Sequence, residues 1–102
     1  MIVKYRPAAI SDLQETAAYI RDTLQNPAAA ERLTQKVLHG ISLLKENPFM
    51  GTMLSSRYES FPSDIRYLVI NRQMVFYEVT DTVIEIIRIL DGRTDYLTKL
   101  SD

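Results

Sequence analysis

The stretch that decides the fold runs from residue 65 to residue 97 and reads IRYLVINRQMVFYEVTDTVIEIIRILDGRTDYL. It consists of three runs rich in Val, Ile, Phe and Tyr, separated by two short polar breaks. Such residues favour strands, and short polar breaks between them indicate tight connections. The stretch therefore predicts a three-stranded antiparallel meander. Four arginines within or just after these runs make the sheet either well solvated or a binding surface: Arg66, Arg72, Arg88 and Arg93.

Length and composition are those of one ordinary globular domain, and we expect residues 1–102 to form it. No apolar run approaches the ~20 residues that span a bilayer. The N-terminus becomes polar within a few residues, so we expect no signal peptide. The chain has no cysteine, which excludes disulfides and thiolate metal sites. These features favour a cytoplasmic protein.

The charge of the chain limits how it could bind nucleic acid. Twelve basic and thirteen acidic residues give a formal net charge of −1. Phosphate contacts dominate nucleic-acid affinity. A nearly neutral domain would therefore need a local basic patch to bind RNA or DNA.

The N-terminal half predicts a strand followed by a helical hairpin. Residues 2–6 alternate apolar and polar, and Pro7 ends this strand and suits the first turn of a helix. Asn26 can cap the second helix, with Pro27 as its first residue. The residue before Pro48 is disfavoured in a helix, so we expect the second helix to stop there. The predicted core stripes are Leu13, Ala17, Ile20 and Leu24 on the first helix, and Ala30, Leu33, Val37, Ile41 and Leu44 on the second.

Two other segments carry structural expectations. Gly40, inside the second helix, marks a place where the two helices approach closely. Residues 49–64 show no clean period, and we expect a long ordered loop, with room for a short turn of helix. The fold class is therefore α+β: an N-terminal strand, an antiparallel helical hairpin, a long loop, the meander and a short C-terminal tail.

The last strand of the meander is apolar on both faces, which places it inside the sheet. We expect Ile84 and Ile86 on one face, and Val83, Ile87 and Ile89 on the other. The helical hairpin can cover only one of these faces. The long loop, the C-terminal tail or a partner must cover the second, since an open apolar face marks an interaction site.

No sequence pattern points to a metal or a cofactor, and we expect neither. The single histidine, His39, lies in the middle of a helix and is expected to be an ordinary surface or boundary residue. The chain contains no metal-ligand pair, nucleotide-binding glycine motif or nucleophile elbow.

The arginines are the main candidate site residues. Arg88 lies in an apolar strand, so we expect an ion pair with Glu78 or Glu85. Arg66 alternates onto the face of Leu68 and Ile70. Arginine where the chain leaves the sheet can fork onto phosphate or carboxylate, and a tyrosine three residues later can stack on a base. Arg93 and Tyr96 are this arginine and this tyrosine. The equally weighted alternative is that both are ordinary solvent-exposed residues.

Taken together, the chain resembles the RelE/ParE superfamily of bacterial type II toxin–antitoxin toxins over almost its full length. The element order carries the resemblance, together with four segments. These are residues 17–20 (AAYI), 44–48 (LKENP), 65–66 with 75–79 (IR, VFYEV) and 86–95 (IIRILDGRTD). The Arg-x-Leu-x-Gly-Arg element formed by residues 88–93 is similar to the ParE branch in particular.

This resemblance implies a toxin, of the kind that serves in plasmid stabilisation, held inactive by a cognate antitoxin. The antitoxin of such a pair usually wraps the toxin with an extended or helical segment, which would cover the second sheet face. ParE-like members block DNA gyrase by binding it and need no catalytic residues. On that hypothesis the binding residues are Arg66, Arg72, Tyr77, Arg88 and Arg93. Homodimers are common in the superfamily, so a homodimer is a further expectation.

RelE-like members instead cleave messenger RNA on the ribosome, and this is the alternative hypothesis. Arg66, Arg93 and Tyr96 would then be the catalytic residues, without a metal. Their usual strand arginine falls at Met74 here, no histidine stands in the tail, and a free tyrosine titrates near ~10, which supplies proton transfer poorly. A third hypothesis is a degenerate member that binds its antitoxin but poisons nothing. The ParE-like hypothesis is the one that the residues favour.

Overall fold

A computed structural model describes residues 1–59, 61 and 64–101. It confirms the α+β class, with two main helices packed on a sheet of five strands in the order β1-β5-β4-β3-β2. β1 pairs with β5 in parallel, and the other neighbours are antiparallel. The elements are β1 (Ile2–Tyr5), α1 (Pro7–Ala18), α2 (Pro27–Ser42), β2 (Thr52–Met53), β3 (Arg66–Ile70), β4 (Gln73–Val79), β5 (Val83–Asp91) and α3 (Tyr96–Ser101).

The predicted meander is formed by β3, β4 and β5. Ile70 pairs with Gln73, which leaves Asn71 and Arg72 as a two-residue hairpin loop. Both loop residues have positive φ, 50° and 68°. A two-residue loop with two left-handed residues matches the right-handed twist of the flanking strands, and asparagine tolerates that conformation well. This turn fixes the direction in which Arg72 leaves the sheet.

The helical hairpin forms as predicted at its caps. Asn26 Oδ1 accepts a hydrogen bond from Ala29 N at 3.1 Å, and Pro27 is the first residue of α2. One stripe residue is wrong: Leu24 is exposed. A π-helical turn, Tyr19–Thr23, follows α1 and shifts the helical phase, so the residue after it rotates away from the core. The two core stripes otherwise lie over the sheet, although Ala17 and Ile20 are only half-buried.

The close approach predicted at Gly40 exists but involves a different element. A Cβ built on Gly40 would overlap Ile70 Cδ1 of β3, so the glycine lets α2 approach the sheet. The prediction that it lets the two helices approach each other was wrong.

β5 contains a bulge that changes which of its residues share a face. Tyr77 pairs with Ile86 and Phe76 with Arg88, so Ile87 is the extra residue. An extra residue reverses the alternation beyond it. Ile89 therefore packs with Ile84 and Ile86, whereas the sequence pattern had placed it with Val83 and Ile87.

The two sheet faces are covered by different kinds of structure. We call the first the helix-covered face, where α1 and α2 pack on Val75, Tyr77 and Ile86. We call the second the loop-covered face. Its core comprises Leu54, Ile65, Met74, Phe76, Ile87, Leu90 and Tyr96, with Tyr58, Phe61, Leu97 and Leu100 packed against them.

The long loop and the C-terminal tail, two of the three expected covers, bury these residues of the second face. That an antitoxin also covers this face stays a prediction. The loop prediction also missed β2, two residues of the 49–64 segment that pair with β3. A two-residue strand is too short for any alternation to be visible. The 3₁₀ turn that follows, Leu54–Ser56, is the short helical turn expected there.

Candidate functional site

The site begins where β5 ends beside the β3–β4 turn. Gly92 N donates to Arg72 O at 3.0 Å, which joins the two segments. Arg93 then folds back on Asp91: Nε donates to Oδ1 and Nη2 to Oδ2, each at 3.0 Å, and its backbone N donates to Oδ1 at 2.8 Å. We call Arg72, Asp91 and Arg93 the arginine ridge.

The electrostatics of the ridge follow from this pairing. Hydrogen bonds from Arg93 lower the pKa of Asp91, and the carboxylate in turn raises the pKa of Arg93. The Arg93 side chain is still 78% exposed. Arg72 forms no side-chain hydrogen bond or ion pair with any residue that the structure describes. The ridge therefore presents one paired and one unpaired guanidinium to solvent.

Two grooves flank the ridge. The first, of about 330 Å³, is lined by Arg57, Val69, Met74 and Tyr96, and we call it the Tyr96 groove. The second, of about 420 Å³, lies between the ridge and the end of the first helical segment, and we call it the Tyr19 groove. Both grooves include Arg72, Asp91 and Arg93, so any ligand in either would contact the ridge.

The Tyr19 groove combines apolar walls with an unsatisfied amide. Tyr19 and Leu24 are each 56% exposed, and Leu33 lies buried at the base. Gln73 is only 4% exposed, and its Oε1 has no hydrogen-bond partner among the described residues. Sequence reasoning missed both Gln73 and Tyr19. The available signal was a glutamine at the start of β4, directly before the apolar residues 74–77.

The Tyr96 side chain is buried in the loop-covered face. Its hydroxyl lies 2.8 Å from the Tyr58 hydroxyl, and its ring centroid lies 5.4 Å from that of Phe76. The hydrogen bond to Tyr58, together with burial, raises the pKa of Tyr96. Arg57 lies over the Tyr58 ring, 5.7 Å from its centroid. A tyrosine so held is a poor proton donor or acceptor near neutral pH.

Arg66 lies elsewhere in the molecule. Its Nη1 donates to Gly51 O at 2.9 Å and to Phe49 O at 3.3 Å, and its guanidinium lies 5.1 Å from the Phe49 ring centroid. It stands at the start of β3, and Arg72 follows its end. At ~3.3 Å per residue the two ends of this strand are roughly 13 Å apart. Of the three candidate catalytic residues, the structure brings only Arg93 and Tyr96 into one groove.

Tyr77, predicted as a binding residue, is fully buried in the helix-covered face. Its hydroxyl accepts a hydrogen bond from Gly51 N at 2.9 Å, and burial raises its pKa. Its position is explained by the period of β4, which turns this ring into the helix-covered face. It supports the fold and is not available to a partner's surface.

Arg88 forms the expected ion pair, but with a different carboxylate. Its Nε and Nη2 donate to Asp12 Oδ2 and Oδ1 at 2.7 and 2.8 Å, and Ile89 N donates to Asp12 Oδ2 at 3.0 Å. The predicted partners, Glu78 and Glu85, were wrong. β1 pairs with β5 only as far as Ile86, and beyond it the carboxylate on α1 takes the place of a neighbouring strand. The missed signal was an acidic residue beside the core stripe of α1.

A third surface is apolar and lies between α1 and α2. A groove of about 280 Å³ is lined by Tyr5, Leu13 and Ala17 and rimmed by the exposed side chains of Ile10 and Leu38. A neighbouring groove of about 340 Å³ extends it to the N-terminal strand. The sequence stripes predicted what each helix buries but not this exposed apolar rim.

Within residues 1–59, 61 and 64–101, no three His, Cys, Asp or Glu side chains are grouped so as to hold a metal ion. No helix in the same residues is long and apolar enough to cross a membrane. His39 is exposed on α2.

Comparison with known proteins finds a matching family model and similar solved structures. The sequence model of the family described as "ParE toxin of type II toxin-antitoxin system, parDE" matches residues 3–96. Among solved structures, the chain is similar to one titled "Chromosomal ParDE TA system from P. aeruginosa", with a TM-score of 0.73 at 22% sequence identity. That alignment covers 89% of this chain and 95% of the other. No curated protein matches the sequence.

Proposed function

This chain belongs to the ParE toxins of type II toxin–antitoxin systems, and from that premise we propose that it inhibits growth by binding DNA gyrase in the cytoplasm, without catalysis. The family match over residues 3–96 is the observation that carries the proposal. The separation of Arg66 from Arg93 and Tyr96 supports a binding mechanism over an RNA-cleaving one. An endonuclease would need its charge-stabilising and proton-transferring groups around one reacting phosphate.

We assign the gyrase-binding surface to the arginine ridge. Arg72 and Arg93 are exposed at one end of the sheet, and the Arg72 side chain forms no hydrogen bond or ion pair with the described residues. Arginine is enriched among the few residues that dominate binding energy at interfaces. Arg66 and Arg88, also predicted to bind, are engaged with Gly51 O and with Asp12 and contribute less.

Neutralisation requires a cognate antitoxin, which in this proposal covers the apolar groove between α1 and α2. Ile10 and Leu38 would leave water on binding, at roughly 25 cal/mol per Å² of apolar area. The chain itself buries the core residues of the loop-covered face. The homodimer stays a prediction.

The proposal is tested with the purified chain in two parallel assays, gyrase supercoiling and cleavage of a translated message on ribosomes. We expect inhibited supercoiling and an intact message. Codon-phased cleavage with normal supercoiling would instead establish the ribosome-dependent endonuclease. If a folded chain that binds its antitoxin shows neither activity, it is a degenerate member.

A pair of arginine variants locates the surface. Arg93→Ala should raise the concentration needed for half-inhibition at least ~10-fold, since one hot-spot arginine carries ~1.4 kcal/mol or more. Arg21→Ala is the matched control, because Arg21 is also an exposed arginine paired with an adjacent aspartate, Asp22, at 2.9 Å. Equal inhibition by both variants and the wild type would exclude the ridge as the gyrase surface.

A further inference from the structure

The Tyr96 groove is the place where positive charge collects on this chain. Three arginines line it, Arg57, Arg72 and Arg93, against one acid, Asp91, so the lining residues carry a formal charge of +2. The chain as a whole carries −1. The groove is therefore a local basic patch of the kind that a nearly neutral domain needs in order to bind a polyanion.

The single acid of the groove does not neutralise all three arginines. Asp91 accepts three hydrogen bonds from Arg93, at 2.8 to 3.0 Å. Neither Arg57 nor Arg72 forms an ion pair with a carboxylate in the part of the chain that the structure describes. Asp95, the next acid along the chain, accepts a hydrogen bond from a side chain of α3 and does not line the groove. Two guanidinium groups are therefore available to an anionic ligand.

Arg57 is exposed and is positioned by aromatic side chains. Its guanidinium carbon lies 5.7 Å from the centroid of the Tyr58 ring, and a hydrogen bond with Tyr67 raises its pKa. A guanidinium group carries five N–H donors, so these contacts leave others for a ligand. Arg57 can therefore bind an anion while it keeps its place in the groove.

The backbone of Arg72 supports a role for its side chain in binding. Its φ is 68°, in the left-handed region where glycine is unstrained and a residue with a longer side chain is not. Strained residues of this kind are concentrated at functional sites. The Arg72 side chain forms no hydrogen bond or ion pair with any described residue, so the fold gains little from an arginine in this turn. A ligand outside the chain explains why an arginine stands there.

The hydrogen-bonding groups of the groove select the class of ligand. The groups left open are guanidinium N–H donors, because the Asp91 carboxylate is held by Arg93 and Gly92 N donates to the backbone oxygen of Arg72. A peptide backbone needs acceptors for its N–H groups as well as donors for its carbonyl groups. A phosphodiester presents only acceptors, and its geometry matches the forked donors of arginine. The groove therefore fits a phosphodiester better than a polypeptide.

We propose that the Tyr96 groove binds a phosphodiester group of the DNA on which gyrase acts. This inference rests on the proposed binding of gyrase and adds a second contact, to the DNA that the enzyme holds. The rings of Tyr96 and Phe76 are buried and cannot stack on a base, so the contact is independent of base sequence. The chain should then bind gyrase that holds DNA more tightly than gyrase alone.

The first test measures binding of the free chain to a short labelled DNA duplex by fluorescence anisotropy at several salt concentrations. The logarithm of the binding constant should fall with the logarithm of the salt concentration with a slope of about −2, since two unpaired guanidinium groups each displace about one counterion. Arg57→Ala should weaken binding ~10-fold at low salt and make this slope shallower by about 1. An unchanged slope would overturn the inference.

The matched control for Arg57→Ala is Arg32→Ala. Arg32 is also exposed and forms no ion pair with a described residue, but it lies on α2 and lines none of the grooves described above. Its removal should change neither the affinity nor the salt slope. An equal effect of both variants would mean that the DNA responds to the total charge of the chain, and this would overturn the groove as the site.

A second variant keeps the inference testable if Arg57→Ala does not fold. Arg72→Gly removes a guanidinium group and places the residue that suits a positive φ in the turn. It should melt at the same temperature as the wild type or higher, and it should still bind DNA ~10-fold more weakly. A folded Arg72→Gly that binds DNA as the wild type does would overturn the inference.

Other ligands test the chemical class. A polyglutamate peptide and a single-stranded RNA, each as long as the duplex, are titrated under the same conditions. We expect the peptide to bind at least ~10-fold more weakly than the duplex, because it lacks the forked acceptors of a phosphate. Equal binding of the peptide would overturn the phosphodiester and identify an acidic polypeptide as the ligand. Binding of the RNA without binding of the duplex would overturn the assignment to DNA.

The last measurement separates this inference from the proposed function. Binding of the chain to immobilised gyrase is measured with and without a bound duplex. We expect the duplex to tighten binding by the wild type ~10-fold and to tighten binding by Arg57→Ala less. Binding to gyrase that the duplex does not change would overturn only this inference. Binding to the free duplex without binding to gyrase would overturn the proposed function and support the phosphodiester site.

Discussion

The two faces of the sheet are both buried, yet they are built in opposite ways. The helix-covered face is closed by α1 and α2, whose apolar residues recur with a helical period. The loop-covered face is closed by the short helix α3 and by Leu54, Tyr58 and Phe61 of the 49–64 segment, and the apolar residues of that segment follow no such period. The difference teaches that a helix that packs on a sheet can be located from the period of its apolar residues. The packing of an irregular segment depends on which of its residues reach the sheet, and no period reveals these.

Two leucines in equivalent settings test most directly whether the two faces are packed with equal rigidity. Leu44 and Leu54 are both fully buried, each in a 3₁₀ turn, one on each face. We expect Leu44→Ala to lower the free energy of unfolding by about 3–5 kcal/mol and Leu54→Ala by about 2–3, because an irregular loop collapses more readily into a cavity. Urea unfolding measures both. A larger loss for Leu54→Ala would show that the loop packs as rigidly as the helices.

The attachment of α1 to the sheet gives the next largest effect. Asp12→Ala removes the carboxylate that pairs with Arg88 and accepts from Ile89 N. It should cost about 3 kcal/mol because a half-buried guanidinium loses both hydrogen bonds to this carboxylate. The control is Glu85→Ala, which breaks the more exposed pair with Arg6 and should cost less than about 1 kcal/mol. If thermal unfolding showed equal losses of stability for Asp12→Ala and Glu85→Ala, the pair of Asp12 with Arg88 would contribute no more than an exposed ion pair.

The tyrosine pair tests how the loop-covered face is held. Tyr96→Phe removes the 2.8 Å contact with Tyr58 and should cost about 1 kcal/mol at neutral pH. The pKa of Tyr96 is raised in the folded state, so its contribution is fully present below its unfolded pKa of ~10 and is lost as pH rises through the folded value.

The measurement is urea unfolding between pH 7 and pH 11. The variant should lose less stability than the wild type over the alkaline part of this range, because the phenylalanine has no proton to lose. Identical pH profiles for the two proteins would show that the hydroxyl pair does not hold the loop.

The smallest effect concerns the ridge, which belongs to neither face. Arg93→Ala should leave stability at neutral pH unchanged within error, since the pair it breaks is exposed. The pKa of Asp91 is lowered in the fold, so its contribution is present above its unfolded pKa of ~3.9 and is lost as pH falls through the folded value. Between pH 7 and pH 3, the melting temperature of the variant should therefore fall slightly less than that of the wild type. A large loss at pH 7 would make the ridge structural.

Much of the fold could be predicted from residues alone. Asn26 and Pro27 marked the start of α2 by cap chemistry, and the polar breaks marked the two connections of the meander. The phase errors at Leu24 and Ile89 share one cause. A π turn and a bulge each insert a residue into a regular period, and neither leaves a composition signal.

The candidate site could be predicted only in part. Arg93 was identified from its place where the chain leaves the sheet, Tyr96 from its position three residues later, and Arg72 only as one of the arginines of the 65–97 stretch. Gln73 was missed, because whether an amide is satisfied depends on neighbours from α1, β5 and the turn that follows, which sequence spacing does not reveal.

By itself the sequence determined the order of the main elements, the family and the presence of arginines in and after the meander, since local propensity, capping and periodicity act within a few residues. Only the tertiary structure decided that Asp12 pairs with Arg88, that Arg66 stands apart from Arg93, and that the chain covers its own second face. These depend on contacts between residues distant in sequence, which only the packing of the whole chain brings together.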